Sequence, residues 1–178
     1  MPEDSTEYLL PPTRVDGSVV LAPYDPAWAT RFEVEAARIR TSLGVVATDV
    51  EHVGSTSVPG LAAKPILDIN LLVVDSADEP AYVPALETLG YVLHIREPGW
   101  HEHRLLRLED PAVNLHVFTT GSAEHARMIM FRDRLRTDPA AFELYLTTKQ
   151  RLAAQRWQRL QDYADQKSSV VERILSDS

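Results

Sequence analysis

Residues 52–70 read HVGSTSVPGLAAKPILDIN, and this segment carries the strongest structural signal in the chain. The last residues of this segment begin an almost unbroken apolar run over residues 65–74, in which Asp68 and Asn70 are the polar exceptions. A near-continuous apolar run of that length is typical of a strand buried on both faces. We therefore predict that residues 65–74 form a central strand of a sheet.

A glycine-serine pair, Gly54-Ser55, precedes this strand, and twelve residues separate Ser55 from Asp68. A turn of this kind lets backbone N–H groups approach phosphate oxygens closely. Asp68 and Asn70 are two residues apart, so they share one face of the strand and offer two oxygen ligands to Mg²⁺ or Mn²⁺. The layout resembles the DNA-polymerase-beta-like nucleotidyltransferase superfamily, and Asn70 departs from it because an acid is expected at that position.

The order of predicted elements divides the chain into a sheet part and a helical part. Residues 1–16 lack a hydrophobic period, which is typical of a flexible tail. Helices and mixed strands alternate over residues 17–120, whereas the patterns over residues 121–178 are helical. We expect a single domain over residues 17–178 of the α+β class: a mixed, nucleotidyltransferase-like sheet with flanking helices and a helical C-terminal part.

Composition excludes several classes of function. The 178 residues carry a net charge of −8 and no cysteine, which rules out disulfides, thiolate catalysis and cysteine-ligated metals. The sequence has no apolar run of about 18 residues and no basic, apolar leader, so we expect a cytoplasmic protein without a membrane partner. The acidic balance argues against general nucleic-acid binding, which depends on basic surface.

Charge is unevenly distributed along the chain. Residues 1–120 hold 8 basic and 18 acidic side chains, whereas residues 121–178 hold 10 basic and 8 acidic ones. Three of the 18 basic residues are lysines, namely Lys64, Lys149 and Lys167. Since arginine is the usual cation in this chain, each lysine is a candidate for binding an anionic ligand.

A second group of candidates is rich in histidine. His101 and His103 share one face of a predicted strand, and His116 lies on the strand predicted to pair with it. Converging imidazoles bind Zn²⁺ or transfer protons near neutral pH. The alternative, that these are packed or surface histidines, stays open at this point.

Basic residues also recur at helical spacing in the C-terminal part. Arg132 and Arg136 are four residues apart, as are Tyr163 and Lys167, so each pair lies on one helix face. Arginine offers a fork and lysine a point charge to a phosphate. A solvated face with local ion pairs is the alternative.

Taken together, the motifs resemble the GrpB family over residues 17–175. Three blocks carry the resemblance: Tyr24-Asp25-Pro26-x-Trp28 with the segment 52–69; Leu115-His116-Val117 with Gly121-Ser122; and Phe131-Arg132-Asp133-x-Leu135-Arg136-x-x-Pro139 with Tyr145-x-x-x-Lys149 and Tyr163-x-x-x-Lys167. The family is similar to the nucleotidyltransferase fold, and in some actinobacterial proteins a domain of this type is fused to dephospho-CoA kinase.

The resemblance implies one cleft. Gly54 and Ser55 would face phosphates, and Asp68 would be the catalytic metal acid. His116 stands near the position of a third ligand, so the implied metal ligands are Asp68, Asn70 and His116, with His116 also catalytic. Further residues would bind the nucleotide or phosphate: Lys64, Arg132, Lys149 and Lys167.

Three hypotheses on function follow. The first is a metal-dependent nucleotidyltransferase that acts on a small molecule, with Mg²⁺ or Mn²⁺ as cofactor. The second is a module that binds a nucleotide or a CoA-type ligand without turnover, which the neutral Asn70 favours. The third is a metal hydrolase with Zn²⁺ held by His101, His103 and His116.

Overall fold

The structure is a computed structural model that describes residues 6–11, 14–17 and 19–176. Within these ranges the strands are β1 (Glu7–Tyr8), β2 (Arg14–Gly17), β3 (Asp49–Val53), β4 (Leu67–Val73), β5 (Val92–Glu97), β6 (His103–Leu108), β7 (Val113–Thr119) and β8 (Trp157–Arg159). The α-helices are α1 (Ala27–Leu43), α2 (Val83–Thr88), α3 (Ala123–Thr137), α4 (Pro139–Ala153), α5 (Leu160–Asp165) and α6 (Ser168–Ser176). Short 3₁₀ turns form at Gly44–Val46, Ser55–Ser57 and Glu79–Ala81.

Six of the described strands form one mixed sheet in the order β1-β5-β6-β7-β4-β3, and β2 pairs with β8 in a separate ribbon. Neighbours in the sheet are antiparallel, except that β4 and β7 are parallel. The apolar run predicted over residues 65–74 forms β4, which is an interior strand and is buried along most of its length. The predicted α+β class, with a mixed sheet and flanking helices, is confirmed.

One face of the sheet forms the main hydrophobic core. Side chains alternate between the two faces of a strand, so Ile69 and Leu71 of β4 point to the same side. There they pack with Ile39 of α1 and Leu86 of α2. The apolar stripe of α1 covers this face of β4.

The opposite face carries the polar residues of β4. The helical C-terminal part packs beside this face, around a second core that includes Leu135, Tyr145 and Ile174. Leu61, from the loop between β3 and β4, contacts this second core and ties the loop to the helices. The helical C-terminal part is thus present as predicted, except that β8 interrupts it and pairs with β2.

A flexible tail is predicted over residues 1–16, and the structure describes two short strands in this segment. Tyr8 pairs with Ile95, so β1 extends the edge of the main sheet at β5. An edge strand exposes unpaired backbone groups, and β1 satisfies part of this edge. Residues 14–17 form β2, while the prediction for residues 1–5 and 12–13 lies outside the described residues.

Within the described ranges, no helix combines the length and the apolar character needed to cross a membrane.

Candidate functional site

A cavity of about 310 Å³ lies on the polar face of the sheet, between the helical part and the N-terminal segment. Six of the nine residues predicted as site residues line it: Ser55, Lys64, Asp68, His116, Lys149 and Lys167. Gly54 adjoins the cavity through its contact with Asp68. Asn70 and Arg132 are absent from the described lining.

Gly54 is required where the chain turns from β3 towards the cavity. Its φ is +67°, in the left-handed region, and a Cβ built on it would stand 2.4 Å from Asp68 Oδ2. Ser57 Oγ donates a 2.6 Å hydrogen bond to the Gly54 carbonyl and fixes the turn. As a result, Ser55 and Thr56 form part of the cavity wall.

Asp68 is held as a carboxylate at the bottom of the cavity. Asn114 Nδ2 donates a 2.9 Å hydrogen bond to Asp68 Oδ1, and His116 Nε2 lies 3.7 Å from the same oxygen. Burial acts to raise the pKa of Asp68, but His116, Asn114 and the Lys64 ammonium outweigh it and hold the pKa below its usual value. The group is therefore ionised at neutral pH.

All three lysines of the chain line this one cavity. Burial, together with the charges of Lys167 and Lys64, lowers the pKa of Lys149 to about 6. Burial and the charge of Lys167 lower the pKa of Lys64 to about 8. The pKa of Lys167 is also lowered by burial, although Asp68 opposes the shift. The amines therefore lie in an environment that disfavours their charged forms.

Aromatic rings and one backbone carbonyl position the lysines. Lys149 Nζ donates a 2.7 Å hydrogen bond to the carbonyl of Ala62. The Nζ atoms of Lys64 and Lys167 lie 5.7 and 4.7 Å from the ring centroid of Tyr163. Tyr163 is fully buried, and its hydroxyl has no hydrogen-bond partner among the described residues. The ring of Tyr163 thus lies within reach of two of the amines.

A row of side-chain contacts on this face leads from Asp68 through His116 and His103 to Glu97 of β5. His103 Nδ1 donates to Glu97 Oε2 over 2.6 Å, and His103 Nε2 lies 3.0 Å from His116 Nδ1. Burial lowers the pKa of His103 to about 4, so this imidazole is neutral at pH 7. His103 and His116 therefore converge as the sequence suggests. His101 does not join them: it is exposed, with a φ of +54°, and packs against Trp100.

Asn70 and Arg132 connect α3 to the sheet. Asn70 is fully buried, and its Nδ2 lies 3.1 Å from His125 Nδ1 of α3. Arg132 donates from Nη1 to Glu51 Oε2 over 2.7 Å and to the carbonyl of His52 over 2.9 Å. Asn70 does share a strand face with Asp68, but α3 packs over Asn70. The alternation of side chains along a strand predicts the shared face and cannot predict the packing of a helix on it.

The donor set differs from the predicted site of Asp68, Asn70 and His116 for a divalent cation. Among the described residues, no group of three or more His, Cys, Asp or Glu side chains is placed to hold a metal ion. Asp68 is the one carboxylate in the described lining, which also holds the three lysines and Arg107. These residues do not fit a resident Mg²⁺ or Mn²⁺ ion, because such an ion favours several oxygen ligands and is repelled by ammonium groups.

Some lining residues were not among the site residues predicted from the sequence, although Asn114 shares a predicted strand face with His116. Asn114 pairs with Asp68 across the β4–β7 register, and Arg107 pairs with Asn114 across the β6–β7 register. The spacing of Asn114 two residues before His116 is a signal that could have identified it. Nothing in the sequence indicates that Tyr8 and Leu10 reach the cavity.

Comparisons with known proteins agree with this fold. The family described as GrpB protein matches residues 18–177. A UPF0157 protein of Halalkalibacterium halodurans is 53% identical over 160 residues, which are 90% of this chain and 82% of that protein. A crystal structure of the conserved protein GrpB from Enterococcus faecalis superposes with a TM-score of 0.72 at 30% identity, covering 89% of this chain and 96% of that one.

A more distant relative carries a different name. A dephospho-CoA kinase of Mycolicibacterium paratuberculosis is 32% identical over 165 residues, which are 78% of this chain and 40% of that protein. The resemblance to a domain found in proteins of this name is confirmed. On the family match and the relatives together, the chain belongs to the GrpB family.

Proposed function

We propose that the chain binds a small phosphate-bearing ligand, such as a nucleotide or a CoA-type molecule, in the cavity next to Asp68. One observation carries the proposal: the three lysines of the chain and Arg107 converge on a cavity whose described lining holds one carboxylate. Such an excess of basic over acidic side chains is typical of a site for an anion.

The pKa values of the lysines support an anionic occupant. Burial and mutual repulsion lower the pKa of Lys149 to about 6 and that of Lys64 to about 8. A phosphate beside these amines would favour their charged forms and offset the repulsion. The site is therefore electrostatically unfavourable on its own and becomes favourable with an anion bound.

The size of the cavity is also suitable. Its volume of about 310 Å³ lies at the lower end of the range for small-molecule sites. Because one relative is named dephospho-CoA kinase, we include a CoA-type phosphate among the probes. Among the hypotheses from the sequence, we therefore prefer a binding module that needs no resident metal.

Nucleotidyl transfer is the second candidate. It is favoured by the Gly54-Ser55 turn, which lies directly against Asp68, and by His116, which stands within 3.7 Å of the same carboxylate. Asn70 is buried under α3 and does not supply a second ligand oxygen to the described lining. A divalent metal could still enter the site together with a nucleotide, and the titrations with Mg²⁺ described below test this.

The histidine-ligated hydrolase receives no support from the contacts. His103 uses Nδ1 for Glu97 and Nε2 for His116, so both of its ring nitrogens already have partners. His101 is exposed and stands apart from the other two. We do not propose this activity.

Calorimetric titration tests the proposal. Pyrophosphate, ATP and dephospho-CoA are each titrated into the wild type with and without Mg²⁺. We expect at least one of them to bind without metal, and Lys64→Gln to weaken that binding roughly tenfold. Arg132→Gln removes the same charge outside the cavity and serves as the matched control.

Two outcomes would overturn the proposal. One is no binding of any of the three probes by folded wild-type protein, and the other is an equal loss of affinity in Lys64→Gln and Arg132→Gln. Thermal unfolding of each variant shows whether it is folded. Release of pyrophosphate from ATP in the samples with Mg²⁺, where water or the hydroxyl of a second ATP accepts the nucleotidyl group, would favour nucleotidyl transfer over binding alone.

A further inference from the structure

The cavity has two chemically different ends. Its cationic end lies at β4 and the helical part, where Asp68 meets the three lysines. The other end, at β1, β5 and β6, is lined mainly by the apolar or aromatic residues Tyr8, Leu10, Pro11, Ile95 and Leu105, with His94 beside them. Arg107 of β6 lines the cavity opposite Asn114, towards the cationic end. A free phosphate needs the first end alone, so the second end calls for a different part of the ligand.

The register of the sheet sets the separation of the two ends. Tyr8 pairs with Ile95, Ile95 with Leu105, and Leu105 with His116, so one row of side chains crosses four strands. The next strand is β4, on which His116 pairs with Asn70 and Asp68 lies two residues earlier on the same face. Four strand spacings separate β1 from β4, which is about 19 Å. This is the distance between the two backbones. The side chains of Tyr8, Leu10 and the lysines line the same cavity of about 310 Å³ and shorten the gap, which then suits a phosphate group that carries a single ring.

The N-terminal segment is fixed at the apolar end by several contacts. The backbone N–H of Leu9 donates a 2.9 Å hydrogen bond to the carbonyl of His94. Arg96 pairs with Glu7 at 3.2 Å. Tyr8 and Leu10 line the cavity but remain 52% and 39% exposed, so a ligand at this end would bury apolar surface that water now reaches.

We propose that Tyr8, Leu10 and Pro11 bind the organic body of a phosphate ester, while the lysines bind its phosphate. This inference rests on the proposed function and narrows the ligand class to esters with an apolar or aromatic group. The GrpB family match begins at residue 18, so Tyr8, Leu10 and Pro11 precede the region that the family model matches. Relatives that differ in this segment would then accept different ester bodies at a similar phosphate site.

Inorganic phosphate and phenyl phosphate form a matched pair of probes, because they differ by one aromatic ring. Titration calorimetry gives the affinity of the wild type for both. We expect phenyl phosphate to bind more tightly, since its ring buries apolar surface against Tyr8 and Leu10. In the double variant Tyr8→Ala/Leu10→Ala, we expect roughly tenfold weaker binding of phenyl phosphate and unchanged binding of inorganic phosphate.

Leu9→Ala is the control, because Leu9 lies in the same segment but is absent from the described lining. The inference is overturned if phenyl phosphate binds no tighter than phosphate, or if the double variant loses affinity for both probes equally. Circular dichroism confirms that each variant is folded. Failure of the proposed function has a different signature, namely that neither phosphate nor phenyl phosphate binds the wild type.

Discussion

Gly54 and Asp68 are in such close contact that a single added carbon would collide with the carboxylate. The Cβ of any other residue at position 54 would lie 2.4 Å from Asp68 Oδ2 and 2.9 Å from Asp68 Cβ. The turn after β3 therefore packs against the Asp68 side chain and limits its movement in the cavity wall. This contact makes Gly54 part of the site although it offers no side chain.

The first prediction concerns this contact. Gly54→Ala forces the Asp68 carboxylate to move and places alanine at a φ of +67°, so we expect a loss of about 2–4 kcal/mol in the free energy of unfolding. Urea unfolding measures it. Gly44→Ala is the matched control, because Gly44 has a φ of +54° with nothing within 4 Å of its added Cβ. Equal losses in the two variants would contradict the role of the contact.

The second prediction concerns the pH dependence of stability. The pKa of Lys149 is about 6 in the folded protein against 10.5 in the unfolded chain, so the unfolded chain binds more protons between these values. Stability therefore rises with pH across that window, by about 1.4 kcal/mol per pH unit for this one group.

Lys149→Met removes this contribution and should flatten the curve. The useful range is pH 6.5 to 7.5, because Lys64, with a pKa of about 8, is still mostly protonated there. Urea unfolding at several pH values in that range gives the two slopes. If the slopes of wild type and variant coincide, Lys149 is charged in the folded protein and the argument fails.

The third prediction concerns proton uptake on ligand binding. Lys149 is largely neutral at pH 7, and an anion placed beside it raises its pKa, so binding of pyrophosphate should take up protons from the buffer. Calorimetry in buffers with different ionisation enthalpies measures this uptake. We expect uptake in the wild type and in Arg132→Gln, and a smaller uptake in Lys149→Met. Equal uptake in all three proteins would assign it to another group.

The fourth prediction separates the two asparagines near Asp68. Asn114 Nδ2 lies 2.9 Å from the Asp68 carboxylate, whereas Asn70 faces His125 under α3. Asn114→Asp places two carboxylates together in the cavity and should raise the affinity for Mn²⁺. Asn70→Asp should leave Mn²⁺ affinity unchanged, because α3 separates the new carboxylate from the cavity. Calorimetric titration with Mn²⁺ decides, and a gain in Asn70→Asp alone would reverse our assignment of the two positions.

Asn70→Asp has a second expected effect. The new carboxylate would raise the pKa of His125, which burial now lowers. A raised folded pKa contributes stability below the unfolded value and loses it as pH rises. The variant should therefore be more destabilised at pH 8 than at pH 5.5, relative to the wild type.

The sequence predicts the central part of this site well because its signals are local. An apolar run with an embedded acid defines β4 and Asp68, and the scarcity of lysine points to Lys64, Lys149 and Lys167. Tertiary contacts decide the rest. Asn70 lies on the same strand face as Asp68 and is polar, as a ligand residue would be. The packing of α3 against it nevertheless keeps it out of the cavity.

The N-terminal segment shows a second limit of sequence reasoning. Residues 7 and 8 form a strand because β5 offers an unpaired edge, not because of any pattern in their own side chains. The partner in this pairing lies about ninety residues away, so no local window contains the information. The same holds for Arg132, which pairs with Glu51 from a distant strand.

The parallel pairing of β4 with β7 has a consequence for the order in which the protein folds. β3–β4 and β6–β7 are antiparallel pairs of strands that follow one another in the chain, joined by residues 54–66 and 109–112, so each pair can form from residues nearby in sequence. Asp68 and Asn114 are 46 residues apart and meet when these two pairs dock side by side. We therefore expect the proposed anion site to be absent from either pair of strands alone and to be completed by their late, long-range docking.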